Sequence, residues 1–333
     1  MTMVTVIVCT LNRCQGLAKT LESVAASTLP DSVGWEVLVV DNNSTDQTRE
    51  VVEDFCRRYP GRFRYLLEPQ QGKSYALNAG IREARGEVLA FLDDDVTVEL
   101  TWLQNLTAPL RHGQWAGAGG RTLPARTFLP PRWLVLEVPY CMGSPLFAHF
   151  DFSDKAGELY SPPYGTNMAF RKEMFEKYGG FRTDLGPSPD SQIPRPNEDT
   201  EFGRRVLAAG ERLWYERSAV VYHPVPEDRL QKSYFLHWMF DYGRAIPREF
   251  GTERGICGIP GPYVTVLKYV TLVFPWRALR WAVTIHPGHR FYRKCRVWMT
   301  VGMIKEFYRL AHAHPQSGPG ELADQPPSVC QHE

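Results

Sequence analysis

The first part of the chain alternates short apolar runs with segments that have one apolar helical face. The apolar runs cover residues 3–9, 35–40, 63–67 and 88–92. The first intervening segment places Leu17, Leu21 and Val24 at i, i+4 and i+7, which is typical of an amphipathic helix. Because strands that alternate with helices at this spacing form right-handed crossovers, the sequence predicts an α/β fold with a mostly parallel central sheet and helices on both faces.

Polar residues follow these strands at the points where the strands end. Residues 10–13, 41–43 and 93–95 all occupy such positions. In open parallel sheets, ligands bind outside the carboxyl ends of the strands. We therefore expect these three segments to form one binding site at one edge of the sheet.

The segment Asp93-Asp94-Asp95 places three carboxylates directly after a buried strand. Adjacent negative charges repel one another and are costly near an apolar sheet unless cations hold them. Carboxylate oxygens are suitable ligands for Mg²⁺ or Mn²⁺. The alternative is an acidic turn that faces solvent, which would be the better interpretation of an isolated Asp-Asp-Asp. Its position beside the other polar strand ends favours a metal site.

Two common nucleotide-binding motifs are missing from the sequence. Residues 10–16 do not contain the G-x-G-x-x-G of dinucleotide-binding domains. Gly72-Lys73-Ser74 has only the end of a P-loop, since position 67 is Leu. The site therefore differs from both of these classes.

Further along the chain, two polar positions are candidates for function. A helix is predicted to start at Asn197-Glu198-Asp199, after a proline-rich stretch at 185–196 that we interpret as a mobile loop. Asn197 is a good N-cap, and acidic residues favour the first turn of a helix, so a purely structural explanation exists. His223 follows a predicted strand at 213–222; a lone histidine is more often structural than a ligand.

Composition and charge limit the classes of function. The chain has 333 residues and a net charge of +1, so no global field attracts it to nucleic acid. Its seven cysteines form no C-x-x-C pair, and few residues precede the first strand. We expect reduced thiols, no signal peptide and a cytoplasmic location.

Taken together and in order, six segments resemble the family 2 glycosyltransferases of the GT-A fold, over roughly residues 1–230. The fold, the activity and the site roles below are what this resemblance implies. The segments are TVIVCTLNR at 5–13, VVDNNSTD at 39–46, ALNAG at 76–80, FLDDD at 91–95, GTNMAF at 165–170 and NED at 197–199.

By this resemblance, Asp93 and Asp95 belong to the D-x-D element that binds a divalent ion, Mn²⁺ or Mg²⁺. His223 matches a histidine that joins the metal in some members. Asp199 matches the general base, with Glu198 as the second candidate. The implied donor-binding residues are Thr10, Asn12, Arg13, Asp41, Asn43, Lys73, Asn78, Asp93 and Asp94.

The implied partners are a nucleotide-sugar donor, with a uridine nucleotide as the default, and a glycan or lipid-linked acceptor. The residue types suit this chemistry, since a metal stabilises the diphosphate leaving group and a carboxylate deprotonates the acceptor hydroxyl. With one base opposite the leaving group, direct displacement inverts the anomeric centre. The alternatives are a sugar-phosphate nucleotidyltransferase and a non-catalytic nucleotide-binding scaffold.

Residues 231–312 are expected to form a separate, helical extension, and residues 313–333 a disordered tail. Residues 263–285 are long enough to span a bilayer, but Lys268, Arg277 and Arg280 interrupt them. Mixed basic and aromatic residues along these helices fit peripheral contact with the inner face of an anionic membrane. A homo-oligomer contact or an intramolecular surface would use the same residues.

Overall fold

A computed structural model of the chain describes residues 3–137, 139–187, 198–251, 255–256 and 260–312. The chain divides into two compact units. The first contains residues 1–129 and 143–232, and the second contains residues 130–142 and 233–333. The proline-rich segment at 130–142 thus groups with the C-terminal helices. Three predictions fall wholly or mostly on residues outside the described ranges, namely the loop at 185–196, Asn197 as a helix cap and the tail at 313–333.

The first unit begins with the predicted alternation of strands and helices. Its third strand has the same bounds as the apolar run at 63–67. The elements are β1 (Met3–Thr10), α1 (Cys14–Ala25), β2 (Gly34–Asp41), α2 (Thr48–Arg58), β3 (Phe63–Leu67), α3 (Lys73–Glu83) and β4 (Val88–Leu92).

Shorter elements and antiparallel strands complete this unit. Residues 108–112 and 227–230 form 3₁₀ turns. The remaining elements are β5 (Thr97–Val98), α4 (Trp102–Thr107), β6 (Gly117–Pro124), α5 (Ser144–Phe147), β7 (Gly157–Leu159), β8 (Asn167–Arg171), α6 (Lys172–Tyr178), α7 (Glu198–Ala208) and β9 (Leu213–His223).

The described strands form one sheet in the order β3-β2-β1-β4-β8-β6-β9-β5, with β7 paired to β9. Strands β3, β2, β1 and β4 are parallel, as expected from their crossovers. Strand β8 then runs antiparallel to both β4 and β6. The α/β class is confirmed, and the later half of the sheet is mixed. The carboxyl ends of β1, β2 and β4 lie at one edge.

Helices cover the two faces of this sheet. On one face, Val6 and Val8 pack in a cluster with Leu17 and Leu21 of α1. On the other, Phe91 packs in a cluster with residues of α3, α6 and α7. All five side chains of β4 are buried, and each large one contributes roughly 1.5–3 kcal/mol to stability. The next residues, 93–95, are therefore held at a fixed point of the sheet edge.

Residues 44–47 have the Ser-x-x-Gln spacing that predicts a capping box, but they do not form one. Helix α2 begins at Thr48 without a side-chain cap from its preceding residue. Asp46 Oδ1 instead accepts hydrogen bonds from the backbone N–H and hydroxyl of Thr48, at 3.1 and 2.6 Å. Ser44 Oγ accepts one from the backbone N–H of Asn12 at 2.9 Å. The Ser44 side chain therefore joins two strand-end loops rather than capping the helix.

The second unit consists mainly of helices α8 (Lys232–Phe250), α9 (Gly261–Lys268), α10 (Phe274–Ala282) and α11 (Pro287–His312). A π-helical segment, Tyr269–Val273, joins α9 to α10. Within the described residues, no helix combines the length and apolar character needed to cross a membrane. Helices α8 and α11 cross closely, because a Cβ atom at Gly243 or Gly302 would overlap with a backbone carbonyl of the other helix.

Candidate functional site

A cavity of about 510 Å³ opens at the edge where β1, β2 and β4 end. Several of the predicted site residues line this cavity. Its polar and charged lining residues are Thr10, Arg13, Asn42, Lys73, Asp93, Asp94, Asp95, His223 and Arg229. Segments that are far apart in the chain thus meet at the predicted edge of the sheet.

Asp93 is paired with a cation and a hydroxyl. Lys73 Nζ lies 2.9 Å from its Oδ1, and Thr166 Oγ1 donates a hydrogen bond to its Oδ2 at 2.6 Å. Burial alone would raise the pKa of Asp93, but Lys73 and Thr166 outweigh it and the pKa lies at about 2. Asp93 is therefore ionised at neutral pH and is already neutralised by protein groups.

Asp94 and Asp95 share the guanidinium group of Arg13. Its Nη1 lies 2.6 Å from Asp95 Oδ2 and 3.4 Å from Asp94 Oδ1. Burial raises the pKa of Asp94 to about 6, against the opposing effect of Arg13. The three neighbouring carboxylates thus have three different environments.

Asp95 also faces the imidazole of His223, whose Nε2 lies 3.4 Å from Asp95 Oδ1. The other ring nitrogen, Nδ1, lies 2.6 Å from the carbonyl oxygen of Pro224. Since a carbonyl oxygen can only accept, Nδ1 carries a proton, and in the neutral ring Nε2 then has a lone pair directed at a carboxylate. A cation placed between them would satisfy both groups, so these side chains fit a divalent metal.

Asp95 and His223 would supply two protein ligands and would leave the rest of the metal coordination shell open. In the part of the chain that the structure describes, no group of three or more His, Cys, Asp or Glu side chains is arranged to hold a metal ion. Mg²⁺ bound at nucleotide sites typically takes one or two carboxylates and completes its shell with phosphate and water. Asp93, the other predicted ligand, is engaged by Lys73 and Thr166.

Two predicted donor residues, Asp41 and Asn12, are not among the lining residues of the cavity. Their side chains instead form hydrogen bonds with neighbouring protein groups. Asp41 is buried and accepts hydrogen bonds from the Ser44 N–H at 2.9 Å and the Tyr65 hydroxyl at 2.8 Å. Asn12 Oδ1 accepts one from the Thr45 N–H at 2.7 Å. Asn12 adopts a left-handed backbone conformation with φ of 54°, which non-glycine residues rarely occupy without a local reason.

Asn43 and Asn42 lie in different environments. Asn43, a predicted donor residue, is exposed and has φ of 70°. Asn42 lines the cavity, and its side chain donates to the carbonyl of Gln70 and accepts from the N–H of Gly72. The sequence placed Asn42 in the expected site segment 41–43, but the family resemblance did not include it among the donor-binding residues. Its only signal was its place in the Asp-Asn-Asn strand end.

Asn78 is not among the lining residues of the cavity. Its side-chain amide donates to the carbonyl of Phe181 at 2.8 Å, and its oxygen accepts from the Phe181 N–H at the same distance. Both ends of the amide are therefore used to fix the segment that follows α6. The sequence alone could not show whether the Asn78 side chain contacts the donor or a neighbouring loop.

Glu198 and Asp199 start α7 and are tied to the same network. Glu198 is buried, and its Oε1 lies 3.5 Å from Lys73 Nζ. Burial raises the pKa of Glu198, and Lys73 partly opposes this. Asp199 Oδ2 accepts a hydrogen bond from the Gly165 N–H at 2.6 Å. Neither carboxylate is among the described lining residues of the cavity.

A family model described as "Glycosyl transferase family 2" matches residues 5–179, which is more than half of the chain. The chain belongs to glycosyltransferase family 2. The succinoglycan biosynthesis protein ExoM of Rhizobium meliloti is 30% identical over 245 residues, or 72% of this chain and 73% of the relative. A glucosyl-dolichyl phosphate glucuronosyltransferase of Haloferax volcanii is 28% identical over 244 residues, or 72% and 75% of the two chains.

Solved structures share the fold of this glycosyltransferase. A mannosyltransferase from Pyrobaculum calidifontis, solved with GDP-Man and Mn²⁺, aligns with a TM-score of 0.60 and 19% identity over 92% of this chain and 87% of its own. S. aureus TarS in complex with UDP aligns with a TM-score of 0.51 and 17% identity over 95% and 93%. These likenesses confirm the GT-A fold.

Proposed function

We propose that this enzyme transfers a sugar from a nucleoside diphosphate, with a uridine nucleotide as the default, to an acceptor hydroxyl with inversion. The observation that carries the proposal is the short loop Gly165-Thr166. Its Gly165 N–H holds Asp199, and its Thr166 hydroxyl holds Asp93, both at 2.6 Å. The candidate base and a carboxylate of the donor cavity are thus fixed to adjacent residues.

The donor diphosphate is proposed to lie in the cavity, with Asp95 and His223 as the metal ligands. Mn²⁺ or Mg²⁺ bound there would stabilise the negative charge of the leaving diphosphate without a proton. Arg13, which bridges Asp94 and Asp95, is close enough to contribute positive charge at the same place. Two structural neighbours solved with Mn²⁺ support the use of a divalent metal.

The acceptor hydroxyl is proposed to lose its proton to Asp199. A hydroxyl has a high pKa, so it needs a positioned carboxylate to accept the proton during attack. The hydrogen bonds from the N–H groups of Gly165 and Thr200, both 2.6 Å, orient this side chain. Each carboxylate oxygen retains a further lone pair for the acceptor. Glu198 is paired with Lys73 and is the less suitable base.

The names of two relatives support a proposal for the acceptor class. One acts in succinoglycan biosynthesis, and another is named for glucosyl-dolichyl phosphate, a lipid-linked sugar. We therefore propose a glycan or lipid-linked acceptor, in a pathway of cell-envelope polysaccharide synthesis. A peripheral position at the inner face of the membrane would place the enzyme beside such an acceptor.

The test is donor hydrolysis by the full chain across a panel of sugar nucleotides. We expect slow release of a nucleoside diphosphate with Mn²⁺ or Mg²⁺ and none after chelation of the metal. Asp199→Asn should leave donor binding nearly unchanged and reduce turnover by about two to four orders of magnitude. Asp95→Asn should weaken metal-dependent donor binding as well. Release of pyrophosphate, or near-normal turnover of Asp199→Asn, would contradict the proposal.

A further inference from the structure

An apolar stripe lies on the surface of the second unit, from the π-helical segment through the end of α10. It consists of Leu272, Trp276, Leu279 and Val283, which are 66%, 60%, 54% and 65% exposed. Their spacing of i, i+4, i+7 and i+11 places them along one side of a helix. We call this set the outer stripe.

The other side of α10 packs against α11, so the outer stripe faces away from the helical core of this unit. Arg277 Nη1 donates a hydrogen bond to Thr300 Oγ1 of α11 at 2.6 Å. Lys294 of α11 lies 5.9 Å from the ring of Trp281. The polar and aromatic contacts of α10 are thus made on its inner side, while its outer side presents large apolar groups.

Exposed apolar side chains are concentrated at this place. Of the 17 large hydrophobic residues that are exposed in the described parts of the chain, 8 lie between positions 263 and 285. Single exposed apolar residues are normal, but a continuous set of this kind marks an interaction site. The set extends beyond the outer stripe to Tyr263, Leu267, Val270 and Ile285.

The charge around the outer stripe has a single sign. Residues 255–305 contain no Asp or Glu and eight Lys or Arg. Lys268 and Arg280 are exposed beside the apolar residues. Large apolar side chains flanked by cations, without acidic residues, match an interfacial helix on an anionic bilayer.

We propose that the outer stripe inserts into the interfacial layer of an anionic phospholipid membrane, with α10 parallel to the surface and Lys268 and Arg280 at the headgroups. A second copy of the chain is a poorer occupant. In a twofold contact the same surface meets itself, so these cations would meet cations with no acidic residue of the segment between them. An anionic lipid surface places negative charge opposite these cations.

The experiment measures co-sedimentation of the full chain with vesicles of phosphatidylcholine alone and of phosphatidylcholine with phosphatidylglycerol. We expect binding to the anionic vesicles, weakened by salt. Lys268→Gln with Arg280→Gln should reduce the partition coefficient roughly 25-fold, at about fivefold per charge. Leu272→Ser with Leu279→Ser should reduce it by at least about tenfold.

Matched controls alter similar residues of the first unit. Lys19→Gln and Leu129→Ser, both at exposed positions, should bind vesicles like the unaltered chain. Donor hydrolysis in detergent-free buffer should be unchanged in all of these variants, which separates this proposal from the catalytic one. Absence of vesicle binding by the full chain, or equal binding by the stripe variants, would overturn the proposal. A stripe-dependent change of oligomeric state without vesicle binding would overturn it too and assign the surface to a second copy.

Discussion

Thr166 belongs to the two-residue loop Gly165-Thr166, which contacts both Asp93 and Asp199 in the candidate active site. Its hydroxyl donates to Asp93 at 2.6 Å, while the preceding N–H, of Gly165, holds Asp199. A hydrogen bond to a charged group contributes about 1.5–3 kcal/mol. We expect Thr166→Val to reduce turnover by roughly tenfold or more, because Asp93 loses its hydrogen bond from the hydroxyl and is displaced, with a smaller change in donor binding.

Turnover and donor affinity of Thr166→Val, measured separately, check this expectation. Thr166→Ser keeps the hydroxyl and should recover most of the lost turnover. If Thr166→Val lowers thermal stability but leaves turnover per folded molecule unchanged, Thr166 has only a structural role. In that case Thr166→Ser and Thr166→Val should differ in stability alone.

The three adjacent carboxylates illustrate what residue-level sequence reasoning can achieve. It predicted that Asp93, Asp94 and Asp95 lie at a ligand-binding edge, because a buried strand precedes them. It could not assign their separate partners, since Lys73, Arg13 and His223 come from three other parts of the chain. Those pairings depend on the tertiary fold, which cannot be inferred from the spacing of nearby residues.

At the scale of elements, the crossing of α8 and α11 depends on two glycines. A Cβ atom at Gly243 would overlap with the carbonyl of Met299, and one at Gly302 with the carbonyl of Phe240. A backbone carbonyl cannot move aside as a flexible side chain can, so α8 and α11 would have to move apart to relieve the overlap. We expect Gly243→Ala or Gly302→Ala to lower the free energy of unfolding by about 1–3 kcal/mol.

Chemical denaturation of both variants checks this, with Gly34→Ala as the control. No atom lies within 4 Å of the position where a Cβ would stand at Gly34. The control should therefore be within about 0.5 kcal/mol of the unaltered chain. Equal effects at Gly34 and Gly243 would mean that the close helix crossing is not the cause.

The same pair of helices contains a buried charge, Glu306 of α11. Its Oε1 lies 2.7 Å from Nε of Arg248 and 2.7 Å from Nη2 of Arg309. Burial alone would raise the pKa of Glu306, but hydrogen bonds from Arg309 and Arg248 outweigh it, and the pKa lies below its ordinary value. A depressed pKa stabilises the fold above the unfolded-state pKa, and this stability is lost as pH falls through the folded-state pKa.

Glu306→Gln should therefore lower the free energy of unfolding at neutral pH by about 3 kcal/mol. The difference between the variant and the unaltered chain should shrink as the pH falls from near the ordinary glutamate pKa of about 4.3 toward the folded-state value. Unfolding curves at a series of acidic pH values measure this. A difference that stays constant over the series would contradict the assigned ionisation.

Prediction of elements succeeded where the pattern is local. The parallel strands β1 to β4 and their helices follow from apolar runs, helical stripes and glycine boundaries. The placement of β8 between β4 and β6 does not, because antiparallel insertion depends on long-range pairing such as Ala90 with Ala169. The capping box failed for a similar reason, since Ser44 has a partner on another loop.

At the scale of the whole molecule, the near-neutral net charge conceals an uneven distribution. The formal charge is +1, yet residues 255–305 carry only cations among their Asp, Glu, Lys and Arg residues. The rest of the chain therefore has the compensating acidic excess, including Asp93, Asp94 and Asp95 of the cavity. The sequence allowed a membrane contact, an oligomer contact or an intramolecular surface for the extension at 231–312. The exposure of the outer stripe is the physical reason for which we propose the membrane.

Ligand-linked stability of the whole molecule separates residues that bind the donor from residues that only support the site. A ligand that binds only the folded state stabilises it by RT ln(1 + [L]/Kd), or about 2.7 kcal/mol at a hundredfold excess over Kd. We expect Mn²⁺ with UDP or GDP, added at saturating concentration, to raise the melting temperature of the unaltered chain, and neither component alone to match the combination.

Two variants should then diverge. Asn78→Ala removes both hydrogen bonds to Phe181, so it should lower the melting temperature without ligand, with a loss of about 1–3 kcal/mol in unfolding free energy. Its ligand-induced increment should remain, because Asn78 does not line the cavity. Asp95→Asn should change the melting temperature without ligand only slightly and should abolish the Mn²⁺-dependent increase, because the Asp95 side chain lines the cavity beside His223. A lost increment in Asn78→Ala would return that residue to the donor-binding set that the sequence predicted.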